Sequence, residues 1–274
     1  FPAANDVPLV VSYYDSYQTC DICKDVNFQF TTETWVTSSN EPFQKFDRVK
    51  GHAVGGSVKV LGTTNQWLHT VSYYNKNQQM IQTISSDHLN GRERSSSLVD
   101  FSGKTLESLI TYIGLPTVSK VRRRFDYDHT GRVLKAYHQI NSQPEVVLAN
   151  NAFNELGQLV DKSIHSVNGS AYLQSVDYRY TIQGRLARMN SSTATDPGDP
   201  DDYFGFEVAY ENTFTSGAGT LNAQRFDGAI TGLKWRNTLP QVAAPYKVKE
   251  NGFAFGYNNL GWLTSSTYKE TLYS

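Results

Sequence analysis

The sequence predicts an all-β fold in which stacked β-hairpins form one continuous antiparallel sheet. Three observations lead to this prediction. Aromatic residues make up 13% of the chain, with 17 Tyr and 14 Phe but only 2 Met, a bias that favours strands over helices. Apolar and polar residues alternate, as in Val176, Tyr178 and Tyr180 against Asp177 and Arg179, which is the period of a half-buried strand. Finally, one short pattern recurs along the chain.

The recurring pattern is an aromatic residue followed by a glycine at position +4 and an aliphatic residue at +6. Its four full copies are Tyr127, Gly131 and Val133; Phe153, Gly157 and Leu159; Tyr180, Gly184 and Leu186; and Tyr257, Gly261 and Leu263. A degenerate copy begins at Tyr74, with Gln78 in the glycine position, and Phe226-Asp227-Gly228 is a half-match. Asp or Asn opens a type I turn and Gly closes it in the left-handed region. Each copy is therefore predicted to be a β-hairpin.

A single hairpin of this kind buries too little apolar surface to offset the entropy of ordering its residues. The hairpins are therefore expected to stack edge to edge, as one array over residues 1–274. Within it, residues 1–115 are interpreted as degenerate repeats with loop insertions and 116–190 as regular repeats. Residues 191–225 are interpreted as a loop-rich insertion and 226–274 as further repeats.

Two segments are longer than a repeat allows, residues 20–45 and 191–225. They contain Ser-, Thr-, Gly- and Pro-rich stretches such as Ser216-Gly217-Ala218-Gly219. We expect both to be loops that project from the sheet.

The stretch Phe125-Asp126-Tyr127-Asp128-His129-Thr130-Gly131-Arg132-Val133 resembles the YD repeat of Rhs proteins and of the teneurins, and Asn258-Asn259-Leu260-Gly261-Trp262-Leu263-Thr264 is similar to it. Further stretches, among them Tyr203-Phe204-Gly205-Phe206-Glu207, look like one bacterial branch of this family, associated with cell-surface proteins exported by the type IX route. The resemblance implies a curled or spiral sheet that forms part of a hollow shell. In the family, this shell commonly encloses a C-terminal toxin domain, and in teneurins it supports adhesion. The self-cleaving segment of the family has no match here.

The composition of the chain restricts which classes of partner are expected. The formal net charge is -1, which argues against nucleic acid as the main partner. The chain has no apolar run near the roughly 20 residues of a membrane-spanning helix. It begins with Phe1 and shows no signal-peptide pattern. We interpret both ends as cuts within a longer protein, so the expected partners are further repeats and a C-terminal cargo domain. Secretion machinery or surface glycans are additional candidates.

Cys20-Asp21-Ile22-Cys23 is the sole cysteine pair. A zinc site would need more ligands than the surrounding sequence offers, and a redox motif would need a strand-to-helix context. A disulfide between Cys20 and Cys23 that clips a loop is the favoured interpretation for an exported protein, and free thiols are the alternative.

Two charged stretches of the sequence each allow two interpretations, a binding site or a structural role. Asp196-Pro197-Gly198-Asp199-Pro200-Asp201-Asp202 could hold calcium through its oxygens, but its order does not match an EF-hand loop, and a stiff solvated loop is favoured. Lys120-Val121-Arg122-Arg123-Arg124 could bind phosphate. The favoured reading is a strand whose Arg122 and Arg124 share one face and pair with acidic neighbours.

The sequence contains no catalytic motif in a suitable context, and its six histidines form no short-spaced cluster with Cys, Asp or Glu. No catalytic, cofactor-binding or metal-binding residue is therefore assigned. The leading functional hypothesis is a structural segment of an Rhs-type shell in a secreted or cell-surface protein, enclosing or presenting another polypeptide. A surface adhesin or glycan-binding module is the second hypothesis. The third is a glycan-processing enzyme, which would need two convergent carboxylates.

Overall fold

The computed structural model describes residues 8–63, 65–114, 117–192, 202–216, 219–220, 222–238 and 248–273. The chain divides into two compact units, Phe1–Leu148 and Ala149–Ser274. Strands dominate both, with one short α-helix and one 3-10 helix in the described part of the first unit.

The first unit holds helix α1 (Asp21–Lys24), a 3-10 helix (Val26–Phe28) and eight complete strands. The strands are β1 (Val10–Asp15), β2 (Val49–Lys59), β3 (Trp67–Tyr74), β4 (Met80–Ser86), β5 (Arg92–Val99), β6 (Thr105–Ile113), β7 (Val118–Tyr127) and β8 (Val133–Ile140). Strand β9 (Val146–Phe153) contains the division between the units. The second unit continues with β10 (Leu159–Ser166), β11 (Gln174–Tyr180), β12 (Leu186–Met189), β13 (Phe204–Ala209), β14 (Thr215–Ser216), β15 (Gly219–Thr220), β16 (Gly232–Thr238), β17 (Val248–Tyr257) and β18 (Leu263–Tyr273).

Sixteen of the described strands form one open antiparallel sheet, in which β1 to β13 follow one another in chain order and β16, β17 and β18 come next. Strands β14 and β15 form a separate two-stranded ribbon. Neighbours in the chain are thus neighbours in the sheet, as expected when each strand returns through a short turn. The predicted all-β fold of stacked hairpins is confirmed.

Seven turns in the described ranges share one hydrogen-bonding pattern, in which the first residue donates its N–H to the carbonyl of the residue four positions later. The first residues are Asn75, Asp87, Asp100, Asp128, Asn154, Thr181 and Asn258. The fourth residue of every one of these turns has a positive φ. These fourth residues are Gln78, Asn90, Gly103, Gly131, Gly157, Gly184 and Gly261. Glycine adopts this conformation without steric cost, so the recurring glycine marks the position that closes the turn.

The pairing register shifts beside five of these turns, at the residue that ends the incoming strand. The shifts fall at Tyr74, Val99, Tyr127, Tyr180 and Tyr257. An extra residue on one strand next to a left-handed residue is a β-bulge. In these five hairpins, the turn and the bulge therefore come from one contiguous stretch of sequence.

The main apolar core of the first unit lies between the sheet and residues 20–30. Cys20, Ile22 and Phe28 pack with strand residues such as Val71 and Tyr73. The hydroxyl of Tyr73 donates to the carbonyl of Phe28 at 2.8 Å, and burial raises the pKa of Tyr73 to about 12. The expectation that residues 20–45 project from the sheet is wrong for this part, because its apolar side chains cover one face instead.

Polar contacts hold the rest of this covering segment. The side-chain amide of Gln82 accepts from the N–H of Thr31 and donates to its carbonyl, both at 2.9 Å. The fully buried Glu107 accepts from the N–H of Val36 at 3.0 Å and of Thr37 at 2.8 Å. A segment that lacks strands is thus held to the sheet by side chains that satisfy its backbone.

The segment 191–225 contains β13, which pairs with β12 and β16 in the sheet. Ala209, the last residue of β13, and Phe214 form a small buried cluster. The side chain of Asn222 accepts from the N–H of Phe214 at 2.8 Å and donates to the hydroxyl of Thr231 at 2.7 Å. These contacts bring part of the long connection back to the start of β16.

Candidate functional site

The side chains that recur with the repeat form a ladder between successive hairpins. Five tyrosines at or directly after the ends of strands donate their hydroxyls to a main-chain oxygen of the preceding strand or, for Ile230, of a residue two positions before that strand. The pairs are Tyr74 to Ala53, Tyr127 to Thr105, Tyr180 to Leu159, Tyr210 to Leu186 and Tyr257 to Ile230, at 2.6–3.3 Å. The accepting strand closes one hairpin and the donating strand opens the next. The tyrosine of the motif therefore ties two repeats together.

In two turns, the basic residue after the turn glycine contacts the next repeat. Lys104, which follows Gly103, places Nζ 5.7 Å from the centre of the Tyr127 ring. Arg185, which follows Gly184, lies over the Tyr210 ring at 5.4 Å. These are cation–π distances. The basic residue of one turn thus covers the tyrosine of the following turn.

One of these basic side chains, that of Lys104, also limits the space beside a turn glycine. A Cβ added to Gly131 would lie 3.0 Å from Lys104 Nζ, whereas one added to Gly261 would meet nothing within 4 Å. Both glycines have a positive φ. Gly131 is therefore constrained by its neighbour as well as by its backbone conformation.

Asp128 organises its turn through its side chain. Its Oδ1 accepts from the N–H of Thr130 and of Arg132, both at 2.9 Å, and its Oδ2 accepts from Arg132 Nε at 2.6 Å. Burial alone would raise the pKa of this carboxyl, but these hydrogen bonds outweigh it and hold the pKa of Asp128 well below its usual value. Asn258 makes the equivalent backbone contacts with Leu260 and Trp262, which explains why Asn replaces Asp in some repeats.

In one repeat, a long insertion separates the aromatic residue of the motif from its glycine. Tyr210 makes the hydroxyl contact of the ladder, and Arg185 covers its ring and also donates to the carbonyl of Gly228 at 3.2 Å. Phe226, the aromatic of the predicted half-match, is 78% exposed. This half-match therefore belongs to a repeat whose tyrosine lies before the long connection, which a fixed spacing does not reveal.

The basic run on β7 pairs with acidic neighbours, as the favoured reading predicts. Arg122 Nε lies 3.3 Å from Glu107 on β6, and Arg124 Nη2 lies 2.7 Å from Glu145. Arg124 also stacks 3.6 Å above the Tyr137 ring, whose hydroxyl donates to Asp126 at 2.7 Å. These cations are engaged within the sheet rather than presented as a phosphate-binding patch.

Cys20 and Cys23 form a disulfide that bridges the first turn of α1. Both sulfurs are buried in the core of the first unit. A Cβ on Gly55 would lie 2.7 Å from Cys20 Sγ, so glycine at this place in β2 allows the disulfide to approach the sheet. The acidic run 196–202, the candidate calcium loop, lies outside the described residues except for Asp202.

Within the described residues, no group of three or more His, Cys, Asp or Glu side chains could hold a metal ion. One serine and one histidine approach each other, with Ser57 Oγ and His69 Nδ1 2.8 Å apart. Ser57 is only 6% exposed, so its hydroxyl is not presented to solvent as a nucleophile. No described helix is long and apolar enough to span a membrane.

One face of the second unit is aromatic over three strands, β13, β16 and β17. Phe204, Phe206, Leu233, Trp235 and Phe253 line a shallow groove of about 400 Å³. The rings of Trp235 and Phe253 stack at 5.7 Å with an interplanar angle of 27°. The opposite face carries a buried ion pair between Lys234 and Glu250 at 3.3 Å. The groove is thus an open apolar surface backed by a polar, well-packed layer.

No protein-family profile and no curated protein matches the chain. Among solved structures, a crystal structure of TcdB2-TccC3 is similar over 82% of this chain and 14% of that chain, at 9% identity and a TM-score of 0.30. A TcdB2-TccC3-Cdc42 structure is similar over 82% and 15%, at 10% identity and a TM-score of 0.28. A Photorhabdus luminescens Tc holotoxin pore is similar over 83% and 14%, at 9% identity and a TM-score of 0.28. Similarity at this level supports no conclusion about the family, so the resemblance to YD repeats stays a prediction.

Proposed function

We propose that this chain is a structural segment of a YD-repeat shell, a curled sheet of stacked hairpins that encloses or presents another polypeptide. The observation that supports the proposal is the tyrosine ladder, in which the same hydroxyl-to-carbonyl contact recurs at Tyr74, Tyr127, Tyr180, Tyr210 and Tyr257. This contact connects repeats and engages the tyrosine hydroxyl with the backbone of the neighbouring hairpin. Its effect is to stabilise an extended wall, which is the requirement for an enclosing scaffold.

The open edges of the sheet support the proposal that further repeats are the main partner. Strands β1 and β18 are the outer strands of the described sheet. Strand β18 is 11 residues long, and a long unpaired edge readily recruits another strand. In the proposed array, an additional hairpin covers this edge.

The aromatic groove supports contact with an enclosed chain. Contiguous exposed apolar surface marks an interaction site on a protein that is otherwise polar outside. We assign the groove around Trp235 to apolar segments of the enclosed polypeptide. In this proposal the chain is not an enzyme, and the buried disulfide of Cys20 and Cys23 fits a secreted or cell-surface location.

Photo-crosslinking in the natural full-length polypeptide tests the proposal. A benzophenone amino acid at Trp235 should cross-link to a segment outside residues 1–274. The same group at Ile182, which is 98% exposed in a turn, serves as the control and should give no such product. Equal cross-linking from both positions, or none from Trp235, contradicts the enclosing role. Reproducible turnover of a peptide, nucleic acid or glycan by the purified chain, abolished by one substitution that preserves the fold, would favour the enzyme hypothesis instead.

A further inference from the structure

A pocket of about 510 Å³ opens in the first unit, away from the tyrosine ladder. Its walls come from the start of β3, the end of β4, the β4–β5 turn and the 3-10 helix. Polar and apolar side chains contribute to its lining, in contrast to the aromatic groove of the second unit.

The aromatic rings of the pocket are held by neighbouring side chains, of which Asn65 and Phe28 also line the pocket. Trp67 Nε1 donates to Asn65 Oδ1 at 3.4 Å. The His69 ring meets the Phe28 ring edge-on at 5.7 Å, and its Nδ1 contacts Ser57 Oγ at 2.8 Å. These contacts use one edge of the indole and one imidazole nitrogen. They orient the rings and leave His69 Nε2 for a ligand.

Three polar side chains that line the pocket have hydrogen-bonding groups available for a ligand. Within the ranges that the structure describes, the side chains of Asn27, Asn90 and Arg92 make no hydrogen bond or ion pair, although all three line the pocket. Arg92 is partly buried, so its guanidinium stands in a setting where an anionic partner gains most.

The one carboxylate in the lining is already engaged. Asp87 Oδ1 accepts from the N–H of Leu89 at 2.7 Å and of Gly91 at 2.8 Å, and Oδ2 accepts from the Tyr112 hydroxyl at 2.8 Å. Because the Tyr112 hydroxyl and these backbone groups donate to it, the pKa of Asp87 is lowered. Asp87 therefore shapes the turn, and among the described residues no ion pair joins it to Arg92.

An aromatic floor, free amides and one free guanidinium are the groups that recognise a sugar ring with an acidic substituent. We propose that this pocket binds a uronic acid residue of an acidic glycan. Trp67 packs against the sugar ring, Arg92 pairs with the carboxylate, and Asn27 and Asn90 bind hydroxyls. This proposal is independent of the proposed shell function.

Isothermal titration of residues 1–274 with a galacturonic acid trisaccharide tests the proposal, with the neutral galactose trisaccharide as the comparison ligand. We expect the acidic trisaccharide to bind at least tenfold more tightly than the neutral one. Arg92→Gln should remove this preference. Trp67→Ala should weaken binding of both ligands. Arg123→Gln is the matched control, because Arg123 is an exposed strand arginine outside the pocket.

Each outcome of these titrations either supports or overturns the proposal. Equal affinity for both trisaccharides, or binding that Arg92→Gln leaves unchanged, overturns the role of the guanidinium. A loss of affinity with Arg123→Gln equal to that with Arg92→Gln indicates general charge attraction and overturns the site. Absence of binding to the acidic trisaccharide overturns it as well. Circular dichroism of each variant separates loss of the pocket from loss of the fold.

Discussion

The hydroxyl of Tyr127 donates a 2.6 Å hydrogen bond to the main-chain oxygen of Thr105, the first residue of the strand before it. Tyr127 ends β7, and Thr105 begins β6 in the preceding hairpin. A side chain of one repeat thus forms a hydrogen bond with the backbone of another. Stability is therefore shared between neighbouring hairpins, and four predictions follow the side chains involved.

Tyr127→Phe removes the donor and leaves the ring in place. We expect the free energy of unfolding to fall by about 1 kcal/mol, the usual worth of a hydrogen bond in a protein. Urea denaturation monitored by circular dichroism measures the change. Tyr14→Phe is the control, because Tyr14 is 55% exposed and its hydroxyl makes none of the hydrogen bonds seen in the described residues. Equal effects of the two substitutions would contradict the ladder.

Asp128→Asn keeps an oxygen at the turn but removes the charge that Arg132 binds. Because the folded-state pKa of Asp128 is lowered, the charged form stabilises the native state above the ordinary carboxyl pKa of about 4. That contribution disappears as the pH falls through the folded-state value. The variant should be less stable than the natural chain at pH 7, and the difference should narrow below about pH 4.

Urea denaturation across the acid range measures this difference for Asp128→Asn. Glu155→Gln, an exposed carboxyl in another turn, should show little difference at any pH. A gap for Asp128→Asn that stays constant down to pH 2 would show that its carboxylate does not stabilise the fold.

Gly131→Val places a β-branched residue at a φ of +86°. We expect a loss of roughly 1–3 kcal/mol in the free energy of unfolding, since the valine also displaces Lys104 from its position over Tyr127. Gly131→Asn should cost less, because Asn tolerates this region and Asn90 occupies it in another turn, at a φ of 62°. Thermal and chemical unfolding of both variants provide the test. Similar losses for Val and Asn would show that the left-handed conformation is not the limiting requirement.

Glu107→Ala removes the buried acceptor of the covering segment and leaves Arg122 without this partner. Breaking a buried charged pair typically costs about 3–5 kcal/mol. The amides of Val36 and Thr37 should exchange with solvent faster, because they lose their acceptor. Hydrogen exchange detects this locally. Glu93→Ala, at an exposed position on β5, should leave their protection unchanged, and equal protection in both variants would contradict the anchoring role.

Local chemistry made much of the fold predictable. Asp128 with Gly131, and Asn258 with Gly261, form their turns from contacts within five consecutive residues. Such contacts depend on nearby sequence alone, so a repeated spacing is enough to locate the hairpins. The alternation of Arg122 and Arg124 likewise identifies a strand face, because side chains alternate along any strand.

Other features depend on residues that are distant in the chain. Lys104 covers Tyr127, and Glu107 holds Val36, but neither pair shares a local pattern. The turns at Asp87 and Asp100 do not match the aromatic, glycine and aliphatic spacing, because Ser86 and Val99 replace the aromatic residue before them. The signal that finds them is the Asp itself, which caps each turn through its side chain.

The sequence by itself determined where the strands turn and which residues alternate between the two faces. Turn geometry and strand period arise from steric and hydrogen-bonding constraints among neighbouring residues. Only the tertiary structure decided that residues 20–30 cover the sheet, that Tyr210 and Gly228 belong to one repeat, and that Trp67 and Arg92 line the same pocket. Those relationships depend on which strands lie side by side, and residues far apart in the chain meet only after the hairpins have stacked.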